Sequence, residues 1–544
     1  MNIYTEPVVG DNFFAREDLL DSLSKSAADI KEGYRHNIAI IGQGLIGKSS
    51  LLLHFLGLIK NDNKLIPVYI NIKGMSFADF VDNYINMVLY HSLKKRKEIT
   101  RSDDLKYLFK CALRFFPKSC DLIKRIRALA QEGELDEAYS ALWDLNVALS
   151  SESGEFLVIV WDEFNLISKF GLSKPFQVLG QKIMVQQKTL FILSSSSAVT
   201  AKKILAEKLS MLFGGFKTID IGPFSFTQAR AFMESQCKDI NISNDIKDYL
   251  LSFTGGHPFY LSSIINRLKL TKFYGTQKVL PRHLGQVIAE LLLYPGGLIN
   301  QFFSDQLKLV FSDIPSRDIY DILKTILSTG RASDIVSRTV SSAKQILDLL
   351  DGLLDLGMIS KSGSLYAVTD SVFRMWIEIK SKPRNLCFDF MPQEESGSYA
   401  KEAENKIMEF NAGRKRGLDD KLIELITSFK NDQFFIDERI RILPNVDYVR
   451  VRRLGQDGKV FVMRGKKDWL FVLPSRYVTD EYVYSLVQRA KAWKLNSAKI
   501  ILLAPSGIDD TAKMIAKQKQ LWVWGSQDIN RLFLFFQGQR ALIA

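Results

Sequence analysis

The sequence predicts an α/β fold built on a doubly wound parallel sheet, and three observations carry that expectation. Short apolar, β-branched runs alternate with helix-length segments over the first 235 residues, the rhythm of strand–helix–strand units. One run, Ile38 to Ile41, leads into G-x-x-x-x-G-K-S, with Gly42, Gly47, Lys48 and Ser49 in the fixed places, and then into the apolar segment "SSLLLHFLGLI". Another, "GEFLVIVWDEFNLI" at 154–167, ends in the carboxylate pair Asp162–Glu163. In such a sheet ligands gather at the carboxyl ends of the strands, so both motifs belong at one edge.

The glycine-bracketed turn has the chemistry of a phosphate cradle. Glycines let successive backbone N–H groups turn inward, and the helix that starts near Lys48 adds the positive end of its dipole. Gly42, Gln43, Gly44, Gly47, Lys48, Ser49 and Ser50 are therefore the expected nucleotide-binding residues. Lys48 would reach the β- and γ-phosphates as a point charge, and the Ser49 hydroxyl would ligate Mg²⁺. Asp162 is expected on the same Mg²⁺, directly or through water, and Glu163 is placed to polarise an attacking water, which makes Lys48 and Glu163 the catalytic candidates. A glycine turn with a chance lysine is the other reading of the first motif, and the second, alone, reads equally as a helix start or solvated loop. Their coincidence at one sheet edge favours nucleotide. Ser194 to Ser197 close the next apolar run, and either a phosphate contact or a flexible loop fits them.

The remaining elements follow in order. "KLIPVYINIKG" (64–74) is a second strand, and residues 77–150 read as a basic helical insertion before the strand at 154–167. "KTLFILSSSSAV" (188–199) is a further buried strand, and "FKTIDIGPFSFTQARAFM" (216–233) is a strand followed by a capped helix.

Bulk properties bound the rest. At 544 residues the chain exceeds one core, and three or four domains are expected. No run of about 18 apolar residues is present, and "MNIYTEPVVGDNFF" lacks the basic-then-apolar layout of a leader, so the expectation is a cytoplasmic protein without a membrane partner. Cys111, Cys120, Cys237 and Cys387 lack the spacing of a zinc site or a disulfide framework. The formal net charge is +13, and residues 441–544 hold 18 Lys and Arg against 8 Asp and Glu, an excess of 10. That concentration favours a polyanionic partner.

Six stretches carry a family resemblance: "DNFFAREDLLDSL", "VWDEF", "LSSSSAV", "IDIGPFSFTQARAFM", "FTGGHPFYLSSII" and "LYAVTDSVFRMWIEI". Over about residues 9–380 the chain resembles the archaeal ATPase family of the STAND class, relatives of AAA+ proteins. The resemblance implies an ATP- and Mg²⁺-dependent switch with a P-loop NTPase core at 1–235 (insertion 77–150), a helical lid at 236–300 and a winged helix at 301–380. It places Phe14, Arg16 and Glu17 on the base side of the nucleotide, with Ala15 where glycine is usual. In the "GGHP" turn, Gly255 to Pro258, it sets Pro258 near the base and His257 near the phosphates; a plain helix-ending turn is the other reading. Gly214–Gly215 stand where a Gly-Arg pair is usual, which implies slow turnover or a cation from elsewhere.

In the region that resembles a winged helix, Asp348, Asp351 and Asp355 oppose phosphate binding by the third helix. A packing role is expected there, with any DNA contact made by Lys361 or Arg338. Residues 381–440 form a linker and helical segment. Residues 441–544 resemble a restriction-endonuclease-like α/β domain, yet no E-x-K follows Asp468, so lost cleavage and retained nucleic-acid binding are expected. Arg450, Arg452, Arg453, Lys466 and Lys467 are the candidate contacts, DNA being the favoured polymer. A protein partner, association between copies, or a nucleotide-locked regulator with little hydrolysis stay open as alternatives.

Overall fold

A computed structural model describes residues 6–96, 98–99, 104–209, 215–271, 278–310, 316–337, 342–381, 393–414, 416–436, 439–446, 448–463, 468–492 and 499–538. Gly214, Arg338, Cys387, Lys466 and Lys467 lie outside the described residues. The chain divides into two units, Met1–Phe224 with Asp355–Gly357, and Ser225–Leu354 with Met358–Ala544.

In the first unit five strands form the expected sheet: β1 (Ile38–Ile41), β2 (Leu65–Asn71), β3 (Phe156–Asp162), β4 (Thr189–Ser195) and β5 (Lys217–Asp220). Their order is β2-β3-β4-β1-β5, and every pairing is parallel. Parallel strands are buried on both faces, which explains why β1, β3 and β4 are continuously apolar rather than alternating. Along β3, Val158 and Val160 join Phe55 and Leu52 of the helix Lys48–Ile59 on one face, while Leu157, Ile159 and Trp161 face the other.

That second face is covered by the helices Phe77–Lys95, Leu105–Ala112, Pro117–Glu132 and Leu135–Ser153. Trp143 lies 4.6 Å from Trp161, and Tyr84 and Phe80 meet the same indole edge-on. The stretch 77–150, an insertion by its place in the sequence, thus forms the sheet's second helical layer. Such aromatic burial is worth roughly 2–3 kcal/mol per side chain before conformational entropy is subtracted.

The second unit begins with the helix Phe226–Gln236, whose Ser225 forms the expected capping box with Gln228. Helices Asn244–Thr254, Pro258–Leu270 and Pro281–Leu292 follow. Next come Leu298–Val310, Ser316–Ser328, Ala332–Ser337 and Ala343–Asp355, then the antiparallel pair β6 (Ser360–Ser362) and β7 (Leu365–Ala367). The helix Gln393–Arg414 crosses Pro281–Leu292 closely at Gly285, where a β-carbon would lie 2.6 Å from the Ala400 carbonyl oxygen.

A hairpin of β8 (Gln433–Ile436) and β9 (Arg439–Ile442) precedes a second five-stranded sheet. Its strands are β10 (Arg450–Arg453), β11 (Gly458–Met463), β12 (Trp469–Pro474), β13 (Lys499–Ala504) and β14 (Trp522–Gly525), in sequential order. The first two pairings are antiparallel and the last two parallel, so the sheet is mixed. Among the described residues no helix is long and apolar enough to cross a membrane.

Candidate nucleotide site

The loop between β1 and the helix Lys48–Ile59 owes its shape to two glycines. A β-carbon at Gly42 would meet the Ile221 carbonyl oxygen at 2.4 Å, and Gly47 has φ +102°, a conformation that side chains oppose. Lys48 opens the helix and is only 4% exposed. Its Nζ donates to the carbonyl oxygens of Gly42 and Gln43, each at 3.0 Å. Burial lowers its pKa, while the carboxylates of Glu163 and then Asp162 oppose that and Lys73 adds to it.

Ser49 is one residue on, and its Oγ donates to Asp162 Oδ2 at 2.5 Å. The parallel sheet makes this contact possible by ending β3 at the edge where the loop turns. Asp162 is 1% exposed and collects three hydroxyl donors: Ser49, Tyr69 at 2.7 Å on the same oxygen, and Ser194 on Oδ1. A buried carboxylate needs such donors to satisfy its oxygens. Burial, reinforced by Asp162, raises the pKa of Tyr69, so the phenol stays protonated and keeps donating.

Glu163 leaves the strand with φ +59°, a left-handed turn that a side chain adopts at a cost of about 1–2 kcal/mol. The backbone N–H and Oγ of Ser196 donate to its Oε2 at 2.9 and 2.8 Å. Strain held in place by neighbours is characteristic of functional positions. The serines at the end of β4 therefore orient the acidic pair: Ser194 holds Asp162, Ser196 holds Glu163, and Ser195 binds Asn165 Oδ1 at 2.7 Å.

Ser49 and Asp162 together offer hard oxygen donors from a hydroxyl and one carboxylate. That set fits Mg²⁺, which takes one or two protein oxygens and fills its octahedron with phosphate and water. Among the described residues no group of three or more His, Cys, Asp or Glu forms an all-protein metal cage.

The segment before the first helix lies along the same unit. The Val8 N–H donates to Ser50 Oγ, the Gly10 N–H to His54 Nδ1, and Phe13 stacks on His54 at 4.3 Å. Ser50 thus has its hydroxyl on the amino-terminal segment. Ala15 and Arg16 both take positive φ, +58° and +76°, the conformation that glycine accepts without strain. Arg16 Nη2 donates to the Gly222 carbonyl at 2.6 Å with its guanidinium over Phe224, and Phe14 meets the same ring edge-on. Gly44 completes the loop, half-buried like Gln43.

His257 and Pro258 belong to the second unit. Gly255 and Gly256, both with positive φ, end the helix Asn244–Thr254, and Pro258 starts the next one. His257 is 4% exposed and stacks on Tyr260 at 4.4 Å, while the Tyr260 hydroxyl donates to Asp370. Within its unit this turn serves the fold.

Arg450, Arg452 and Arg453, with Val451, form β10, an edge strand exposed along its whole length. Period-two geometry sends Arg450 and Arg452 to one face and Arg453 to the other. Among the described residues none of the three has an ion pair with a carboxylate. Arg450 lies over the exposed ring of Tyr448. Asp468 precedes β12, and its carbonyl accepts from the Lys499 N–H.

Sequence reasoning missed Tyr69 and the separate duties of Ser194 and Ser196. The signal for Tyr69 was its place two residues before the end of the strand that pairs with β3.

Residues 13–264 match the family model of an ATPase domain predominantly from Archaea. Among curated proteins, an uncharacterized ATP-binding protein of Methanocaldococcus jannaschii is 23% identical over 249 residues, 42% of this chain. The chain spans 66% of that relative's length. Among solved structures, the Walker-type ATPase PABY2304 of Pyrococcus abyssi is 18% identical with a TM-score of 0.48, over 69% of this chain and 98% of that one. The ORC2 protein of Aeropyrum pernix is 10% identical with a TM-score of 0.42, over 74% and 98%.

Proposed function

We propose that residues 13–264, an ATPase domain of archaeal type, bind ATP with Mg²⁺ and hydrolyse it, and that the rest of the chain reads out the nucleotide state as a STAND-like switch acting on nucleic acid. The observation that carries the proposal is the convergence of Lys48, Ser49, Asp162 and Glu163 at one sheet edge, with Ser49 already on Asp162. Bound Mg²⁺ would neutralise charge developing between the β- and γ-phosphates. The loop's N–H groups and Lys48 would hold the phosphate chain, Ser49 and Asp162 would hold the metal, and Glu163, steadied by Ser196, would orient water.

The readout is proposed from three features of the second unit. Helices Ser316–Ser328, Ala332–Ser337 and Ala343–Asp355 with the β6–β7 hairpin support a winged-helix reading. The GGHP turn joins two helices of the region read as a lid. The exposed, unpaired arginines of β10 support a nucleic-acid surface, DNA being favoured. Phosphate release by the full chain, with and without duplex DNA, tests the proposal. Mg²⁺-dependent release that DNA changes supports it. Tight ATP binding without release moves the chain to a nucleotide-locked regulator, a reading that Gly215 in place of an arginine favours.

A further inference from the structure

Lys73, like Lys48, stands at the carboxyl edge of the first sheet, but outside the phosphate-binding loop. Strand β2 ends at Asn71, in register with Asp162, and the Ile72 N–H donates to the Asp162 carbonyl at 3.0 Å. The chain then makes a tight turn: the Met75 N–H donates to the Ile72 carbonyl at 3.2 Å, and Gly74 takes φ +78° as the third residue of a type II turn must. Lys73 sits at the second position of that turn, its own N–H bound to Asn71 Oδ1 at 3.0 Å. The backbone of Lys73 is thereby fixed beside the acidic pair, and its side chain is exposed.

The charges at this edge are two lysines and two carboxylates. Asp162 is engaged by three neutral hydroxyls and Glu163 by Ser196. Among the described residues neither Lys48 nor Lys73 forms an ion pair with a carboxylate. A second cation at this edge, beside Lys48, suits the several negative charges of an oligophosphate.

We propose that Lys73 binds the terminal phosphate of the nucleotide and so discriminates triphosphate from diphosphate. The inference rests on the ATP reading above. Strand order is compatible with it: the loop that follows β1, the acidic pair that ends β3 and then Lys73 after β2 succeed one another along one sheet edge. The flexible four-carbon stem lets the ammonium follow that phosphate. It also supplies from within this unit a cation that Gly215 does not provide.

Calorimetry on the full chain tests this with two ligands, the β,γ-imido analogue of ATP and ADP, each with Mg²⁺. Lys73→Ala should weaken the analogue roughly tenfold, as loss of one charge-assisted contact does, and leave ADP within about twofold. Lys73→Arg should restore most of the loss. Unchanged analogue affinity in Lys73→Ala, or equal losses for both ligands, overturns the assignment while leaving the ATP reading intact. Failure of the native chain to bind either ligand overturns both.

Discussion

Tyr69 and Ser49, from the strand β2 and the helix that precedes it, donate to the same oxygen of Asp162, at 2.7 and 2.5 Å. A carboxylate oxygen has room for both, and when Ser49 turns to a metal ion Tyr69 can keep Asp162 in place. Removal of that hydroxyl should therefore be felt in metal affinity. Tyr69→Phe is expected to raise the Mg²⁺ concentration needed for half-maximal nucleotide binding roughly tenfold, the low end for a residue that orients a metal ligand. An unchanged Mg²⁺ titration, followed by the nucleotide-induced shift in melting temperature, would remove Tyr69 from the site.

Ala15 offers a test of backbone strain. At φ +58° its β-carbon costs about 1 kcal/mol, and the extra freedom of glycine in the unfolded chain returns part of the gain. Ala15→Gly should stabilise the protein by about 0.5 kcal/mol and raise the melting temperature measurably. A lower melting temperature would mean that the alanine methyl contributes packing that outweighs the strain.

Acid should destabilise the first unit through His91. Burial, with Lys94 adding to it, holds the imidazole down at about 4, against 6.5 in an unstructured chain. Between those values the unfolded state binds more protons than the native one, so stability rises with pH across the window and is lost as pH falls from 6.5 toward 4. Melting curves of the native chain and of His91→Gln from pH 7 to 4.5 should converge in slope only above pH 6.5, with the native chain losing more below it. Parallel curves throughout would assign the acid sensitivity to other groups.

The β10 edge leads to a salt-dependent prediction. If Arg450 and Arg452 contact phosphates, DNA binding by the full chain should weaken with salt, and Arg450→Glu with Arg452→Glu should flatten the logarithmic slope by about 2. Binding that ignores both salt and the substitutions would move this surface to protein docking.

The first sheet was legible because its signals are local. Ile38–Ile41 before the glycine turn, Leu157–Trp161 before the carboxylates, and Ser225 with Gln228 each announce their element within a few residues. Lys48, Ser49, Asp162 and Glu163 were readable for the same reason. Tyr69 and Lys73 were not, because their meaning comes from pairing across about ninety residues, Asn71 beside Asp162. The helices between β2 and β3 were visible as helices, but only Trp143 against Trp161 makes them a layer of the core.

ATP binding by the full chain in Mg²⁺, measured by calorimetry on the native protein, Lys48→Ala and Glu163→Gln, tests the central claim most directly. Lys48 should contribute a charge-assisted contact, so Lys48→Ala is expected to bind roughly 10- to 100-fold more weakly. Glu163→Gln should bind within about twofold of the native chain while phosphate release falls by roughly 100-fold or more. Equal ATP affinity in Lys48→Ala and the native chain, or no ATP binding by the native chain, would contradict the account.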